Sequence, residues 1–310
     1  MNAYFKASRL RRAAGAATLA LLPLAACGEV DRSLAVVDPD IINPEDTQSP
    51  AAANALRLGA LARHNQATSG GESFWLLGGL MADEWRSSDT FVQRDQTDQR
   101  AVETNNANVS DAFRAVHRAR LAAEVAARAL RANNAPGWQV AEMYVVQAYN
   151  ENQLAENMCS GIPFSTIDED GRDVYGAPMP TPDVLARALA HVDSAFIFNA
   201  GTAADSTRVA NAAKVVKGRI LLNMNRPADA AAAVADVPTD FAVVNDHSQT
   251  SRTNQVWSLN GSGGRWTVST GEGGNGLNFV VGDPRVPVCK GTGAHAPTVA
   301  FAGAAVCGAG

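Results

Sequence analysis

Between Gln139 and Phe164 the chain reads QVAEMYVVQAYNENQLAENMCSGIPF. Ala141, Tyr144, Val145, Ala148, Tyr149, Asn152 and Ala155 return at three- and four-residue steps, the period that gathers side chains on one face of an α-helix. Small Ala beside Tyr and Val lets a second helix approach that face closely. Gly161 suits a helix C-terminus, and Pro163 two residues later cannot continue the helix. Such a face needs partners, so the flanking chain is expected to supply further helices. The stretch is expected to hold loops in place rather than touch a ligand, so changes at Tyr144 or Tyr149 should cost folding before binding.

The flanks read as helices. Ala51 to Ala67 places Leu56, Ala60 and Leu61 on one side and breaks at Ser69, Gly70 and Gly71; Phe74 to Glu84 follows, closing in Ala82, Asp83 and Glu84. Trp85 to Asn108 is polar and aperiodic, which reads as a long loop, and loops of that length are often functional. Val109 to Leu130 is helical, with Val109, Phe113, Val116, Ala123, Ala127 and Leu130 on the buried side and Arg114, Arg118, Arg120 and Glu124 solvated. After Gln139–Phe164, a polar excursion from Ser165 to Pro182 leads to a helix over Thr181–Phe198. Thr181 is placed to cap that helix, Pro182 suits its first turn and Asp183 its positive end, and Val184, Leu185, Leu189, Val192 and Phe196 form its buried side.

Val209 to Met224 and Ala228 to Val237 form a helical hairpin through Asn225, Arg226 and Pro227. Ala213, Gly218, Leu221 and Ala230 give the small-residue spacing of a tetratricopeptide unit. Three successive antiparallel pairings, 109–130 with 139–158, 181–198 with 209–224, then 228–237, lay out an α-solenoid. After Asp240 the composition turns to Asn, Ser, Thr and Gly. Gln255–Leu259 and Arg265–Ser269 alternate about Asn260–Gly264, a hairpin signal carrying Trp257 and Trp266. The expected fold is mainly α: a tetratricopeptide-like helical-hairpin solenoid with long loops and a small β-hairpin insertion. No structure is assigned to 290–310.

The N-terminus is a targeting signal. Lys6, Arg9, Arg11 and Arg12 precede an apolar run from Ala13 to Leu22, too short to span a membrane, and the run leads into Leu24, Ala25, Ala26 and Cys27. Leu-Ala-Ala-Cys resembles a bacterial lipobox, so residues 1–26 are expected to be a signal peptide, with Cys27 lipidated and 27–50 a Pro-bearing tether; the acyl chains would anchor the protein by burying many methylenes. The folded body is expected over 51–287, with the helical array at 109–237 and loops and hairpin at 240–287, while 288–310 stays unassigned. Without the signal, 22 basic residues face 31 acidic ones, a net charge of −9, which argues against nucleic acid as a partner. Of the remaining Cys159, Cys289 and Cys307, a Cys159–Cys289 bridge is one option. His64, His117, His191, His247 and His295 are scattered, so no metal site is expected.

Enzyme signatures are poor. Gly271 to Gly276 satisfies GxGxxG, but an extended Leu277–Val281 follows it where a dinucleotide turn would open a helix. Asp83–Glu84 and Asp168–Glu169–Asp170 are acid clusters in loops, where solvation explains them as well as a glycosidase pair does. A better-supported constellation is polar and aromatic: Trp85, Arg86, Phe91, Gln93 and Arg94 in the first long loop, and Trp257, Arg265 and Trp266 in the second. Indole faces suit the C–H face of a sugar, and Arg, Asn and Gln suit its hydroxyl edge. The competing explanation is that these rings pin the loops to the helices.

The order of these segments resembles the SusD/RagB family of nutrient-uptake outer-membrane lipoproteins. The resemblance rests on Cys27 in its lipobox, Asn43–Pro44, Phe74 to Glu84 with its closing Ala-Asp-Glu, Ala141–Glu142 with Gln147–Ala148–Tyr149, the exit Gly161–Ile162–Pro163–Phe164, Asp183 to Phe196, Ala212 to Ala230, and Asp283–Pro284–Arg285. Gln147 departs from it, standing where the family usually has Arg, and family members continue well beyond the Asp-Pro-Arg, so a C-terminally truncated member is expected. The resemblance implies a non-catalytic protein without cofactor, facing the exterior on the cell outer membrane. It implies capture of a nutrient, foremost an oligosaccharide, and delivery to a SusC-like TonB-dependent transporter. Trp85 and Arg86 lead the expected ligand contacts, with Phe91, Arg94, Trp257 and Trp266 beside them. The alternative function is a lipid-anchored helical-repeat scaffold for envelope assembly.

Overall fold

Ser49 opens the first helix by accepting a hydrogen bond from the Ala52 amide, with Pro50 in the first turn where its missing N–H costs nothing. That helix, α1 (Pro50–Ser69), is the first described element of a computed structural model that describes residues 49–267 apart from 72, 88–89, 169, 249, 251–252, 256–257 and 260–264. The expectations for Cys27, the tether, Trp257 and the segment beyond 267 lie outside the described residues. All of the described residues belong to one unit, Pro44–Gly310. After α1 come α2 (Phe74–Met81), β1 (Arg86–Ser87), α3 (Val92–Asp98), α4 (Ala107–Ala132), α5 (Gly137–Asn157), β2 (Ile162–Pro163), β3 (Thr166–Ile167), β4 (Asp173–Val174), β5 (Pro178–Met179), α6 (Thr181–Phe198), α7 (Ala204–Asn223), α8 (Pro227–Val234) and β6 (Trp266–Thr267). The fold is mainly α.

Cross-helix bonds give the helix directions. Arg57 and His64 of α1 meet Glu142 and Asn150 of α5 in the same order, as Arg208 and Asn223 of α7 meet Glu142 and Asn152. α1, α5 and α7 are therefore parallel and adjacent. α6 runs antiparallel to α5, since Arg187 reaches Glu151 while Tyr144 stacks on Phe198. α8 returns along α7, with Lys214 on Asp236 and Gly218 under Val234, where a Cβ would come within 2.9 Å of a Val234 methyl. α4 packs on both α1 and α5, α5 also on α6, and α7 chiefly on α8. The expected packing of 109–130 on 139–158 is present, and α1 adds a second partner for α4.

Three apolar clusters fill the helix contacts, one around α2, α4 and Trp266, one among α5, α6 and α7, and one among α1, α4 and α5. Being central changes α5. Its expected single apolar face gives way to burial nearly all round, with Asn150, Glu151, Asn152 and Gln153 buried beside Ala141, Val145 and Ala148. Buried polar groups persist where they are hydrogen-bonded, and Glu151 has Arg187 at 2.8 Å and His191 at 2.6 Å. Arg120, expected on the solvated side of α4, is also buried. It donates to Glu124 and to the Ser165 carbonyl, and its guanidinium lies 5.3 Å over the Phe164 ring.

Several boundaries differ for local reasons. α5 ends at Asn157, four residues before Gly161, because Ile162 and Pro163 leave as a strand paired with Met179 and Pro178. Gly161 takes φ +98°, a turn conformation that glycine adopts without strain. α2 ends at Met81, since Asp83 has φ +59° and the Glu84 and Trp85 amides both return to the Gly79 carbonyl. α6 starts after Pro180, and Thr181 makes no side-chain cap. The long loop 85–108 holds α3, tied down by Asn106, which donates to the Gln93 carbonyl and Gln96 side chain while capping α4 at Val109. The turn of the expected hairpin, Asn260–Gly264, lies outside the described residues. Gln255 and Ser258–Leu259 are helical, and Trp266–Thr267 pairs with Ser87 and Arg86 instead. Cys159 is a free, exposed thiol, and Cys289 lies outside the described residues.

Candidate functional site

α2 carries two adjacent glycines, Gly78 and Gly79, at the point where Trp85 and α5 close on it. A Cβ on Gly79 would lie 1.9 Å from the Trp85 ring, and one on Gly78 would lie 2.7 Å from the Asn157 side-chain oxygen. At Gly79 the indole ring would have to move, and at Gly78 the end of the Asn157 side chain would. The backbone turn at Asp83 then swings Trp85 back over the helix it has just left. The result is a hollow of about 440 Å³ walled by Phe74, Trp75, Trp85, Glu84, Gln153, Glu156, Asn157 and Arg219.

Its polar floor is bound into a network. Arg219 grips Glu156 with two hydrogen bonds of 2.6 and 2.8 Å, a charge-assisted fork. Asn152, Gln153 and Asn223 donate to the same carboxylate at 2.8, 2.9 and 2.6 Å. The hydrogen bonds to Glu156 hold the Arg219 guanidinium charge above its ordinary pKa. Glu156 is thereby saturated, while Arg219 stays half exposed and Glu84 is exposed. Trp75, also half exposed, donates its indole N–H to the Tyr149 hydroxyl at 2.8 Å, and burial pushes the Tyr149 pKa up.

A second, larger hollow of about 630 Å³ lies between α1, α5 and α7. Leu58, Leu61, Val145, Val146, Val209 and Val216 give it apolar walls, and Phe241 to Asp246 crosses beside it. That crossing segment is tied to the end of α1. Asn65 donates to the Asp246 carbonyl, Asn245 donates to Thr68, and His247 meets Ser69 at 2.7 Å. At one end Glu142 is clamped by Arg57 at 2.6 Å and Arg208 at 2.7 Å. Among the described residues no three or more His, Cys, Asp or Glu converge as a metal group would, and no helix is long and apolar enough to cross a membrane.

The six expected contact residues separate. The β1–β6 ladder brings Trp85, Arg86, Phe91, Arg94 and Trp266 into one region from two distant loops. Of the five that are described, only Trp85 walls the hollow, and Trp257 lies outside the described residues. Arg86 is exposed on β1, whereas Trp266 is 0% exposed and Arg94 8%, so both are core rather than contact surface. Arg94 lies 4.7 Å over Phe91 and 5.3 Å over Trp266, and Arg265 lies 5.5 Å from Phe91. For these rings pinning of the loops is the better explanation. Trp75, Gln153, Glu156, Asn157 and Arg219 were not legible as a site, because they stand 144 positions apart and meet only in the fold. The one local sign is that Gln153, Glu156 and Asn157 share one side of the helix at three- and four-residue steps. α5, expected to be scaffold alone, lines both hollows. No family model, curated protein or solved structure matches the chain.

Proposed function

We propose that the protein is a non-catalytic binding protein that captures a glycan in the Trp75–Trp85 hollow. The observation that carries this is the composition of that hollow: two indole rings beside amide, carboxylate and guanidinium groups. A sugar ring presents an apolar C–H face and a rim of hydroxyls, and the two kinds of wall answer those two surfaces. In the same reading Cys27 carries the lipid and tethers the body to the outer-membrane surface. The protein then resembles the SusD/RagB lipoproteins and hands its ligand to a SusC-like TonB-dependent transporter.

The helix order supports the repeat part of the proposal. α1, α5 and α7 run parallel side by side, and each has an antiparallel partner packed behind it, α4, α6 and α8. Such an order suits tetratricopeptide-like pairs, with 70–106 and 158–180 inserted within the first two. Gly218 against Val234 supplies the small-residue contact that such a pair needs.

Two measurements test the reading. In glycan-affinity gels Trp75→Ala and Trp85→Phe should lose retention of the bound polysaccharide with helix content unchanged, and unaltered retention in both removes the hollow from the site. Native pull-down from outer membranes should return a TonB-dependent transporter as chief partner. Recovery of a different envelope protein in its place would favour the scaffold function.

A further inference from the structure

Trp75 walls both hollows. Tyr149, which accepts its indole N–H, lines the larger one. The two hollows therefore meet at a pair of side chains. Both also follow α5, the groove from Glu142 to Tyr149 and the polar hollow from Gln153 to Asn157. At about 1.5 Å per residue, Glu142 and Glu156 stand roughly 20 Å apart along the helix, so the two hollows together span the length of an extended ligand.

The two halves differ in chemistry. The polar half is described above. In the other half Glu142 bridges Arg57 and Arg208, and Asp205 stands 3.8 Å from Arg208. Beside Asp246 and the amides of Asn65 and Asn245, most of the remaining wall is aliphatic. Leu58, Val215 and Val243 line it while 54%, 45% and 58% exposed. Contiguous apolar surface left open beside a polar site is costly to a monomer unless something covers it.

Resting on the glycan reading of the Trp75–Trp85 hollow, we infer that the groove between α1, α5 and α7 is the second half of the same site and takes the apolar aglycone of an amphipathic glycoside. The sugar sits against the two tryptophans, and an alkyl or aryl group continues past the Trp75–Tyr149 pair along Leu61, Val145 and Val146.

Calorimetry on the full chain carrying Cys27→Ser, which keeps it free of lipid and detergent, tests this. The probes are the methyl and octyl β-glycosides of glucose, galactose and N-acetylglucosamine below their micelle concentrations, with octyl tetraethylene glycol as a sugar-free chain. For at least one sugar the octyl glycoside should bind about tenfold or more tightly than the methyl glycoside, because the chain leaves water. Val215→Asp and Leu58→Asp should each erase that gain and keep the methyl-glycoside affinity. Val243→Asp, outside the helices, repeats the test if either variant loses helix content. Equal affinity for methyl and octyl glycosides overturns the inference and leaves the glycan reading standing. Binding of the sugar-free chain as tightly as the best octyl glycoside overturns both, as does silence from every probe.

Discussion

The carboxylate of Glu151, fully buried midway along α5, lies 2.6 Å from Nδ1 of His191 on α6. Its other oxygen accepts from Arg187 at 2.8 Å, so one acid joins two turns of the neighbouring helix. An apolar replacement leaves Arg187 and His191 facing a dry wall without their acceptor. Glu151→Leu should destabilise the protein by on the order of 3 kcal/mol, the usual cost of removing one partner of a buried pair. Urea unfolding checks this, and an Arg187→Met, Glu151→Leu double variant should recover part of the loss.

Gly79→Ala sets helix propensity against packing. Alanine gains up to about 1 kcal/mol over glycine within a helix. The new methyl would nevertheless fall 1.9 Å from the Trp85 ring, which is packed partly buried against the core and must shift to admit it. Overpacking of this kind costs about 1–3 kcal/mol. Net destabilisation with a changed Trp emission spectrum is expected, and a more stable protein with unchanged emission would contradict the arrangement.

His64 and His117 make stability depend on pH. Burial pushes both pKa values from 6.5 down to about 4. The unfolded chain therefore binds protons that the folded one refuses between those two values. Stability is unaffected above about pH 6.5, falls as pH drops through the window, and levels off below about pH 4. At pH 5 each histidine should cost about 2 kcal/mol relative to pH 7. Chemical unfolding of wild type and His64→Gln at both pH values measures this, and the variant should show the shallower dependence.

Gly218→Val tests the α7–α8 contact. Even a Cβ there would sit 2.9 Å from Val234, and a branched side chain cannot be housed. Amides of α8 should lose protection in hydrogen exchange while those of α5 and α6 keep it, since α8 packs chiefly on α7. Equal loss across the protein would mean that α8 is not a separable edge.

The helices α1, α4, α6 and α7 were legible because their signals are local. Val184, Leu185 and Val192 recur at helical spacing, Pro182 and Asp183 mark a first turn, and Asn225 to Pro227 forces a break. Helix type and approximate bounds need only neighbours in sequence. The same locality explains the errors. α5 was legible as a helix, but its burial on nearly every side was not, and α3 is too short and polar to show a period.

What only the tertiary structure decided is which side chains meet. Trp266 carries the same sequence signal as Trp85, yet one is sealed under Arg94 and the other opens onto the hollow, because β6 pairs with β1 rather than with its expected hairpin partner. Arg120 reads as a solvated helix charge until the exit strand after α5 covers it. The hollow joins Trp75, Trp85, Glu156 and Arg219 from four parts of the chain. Local periodicity encodes the direction of a side chain within its own helix. It does not encode the partner that covers it, because that depends on long-range closure of the chain.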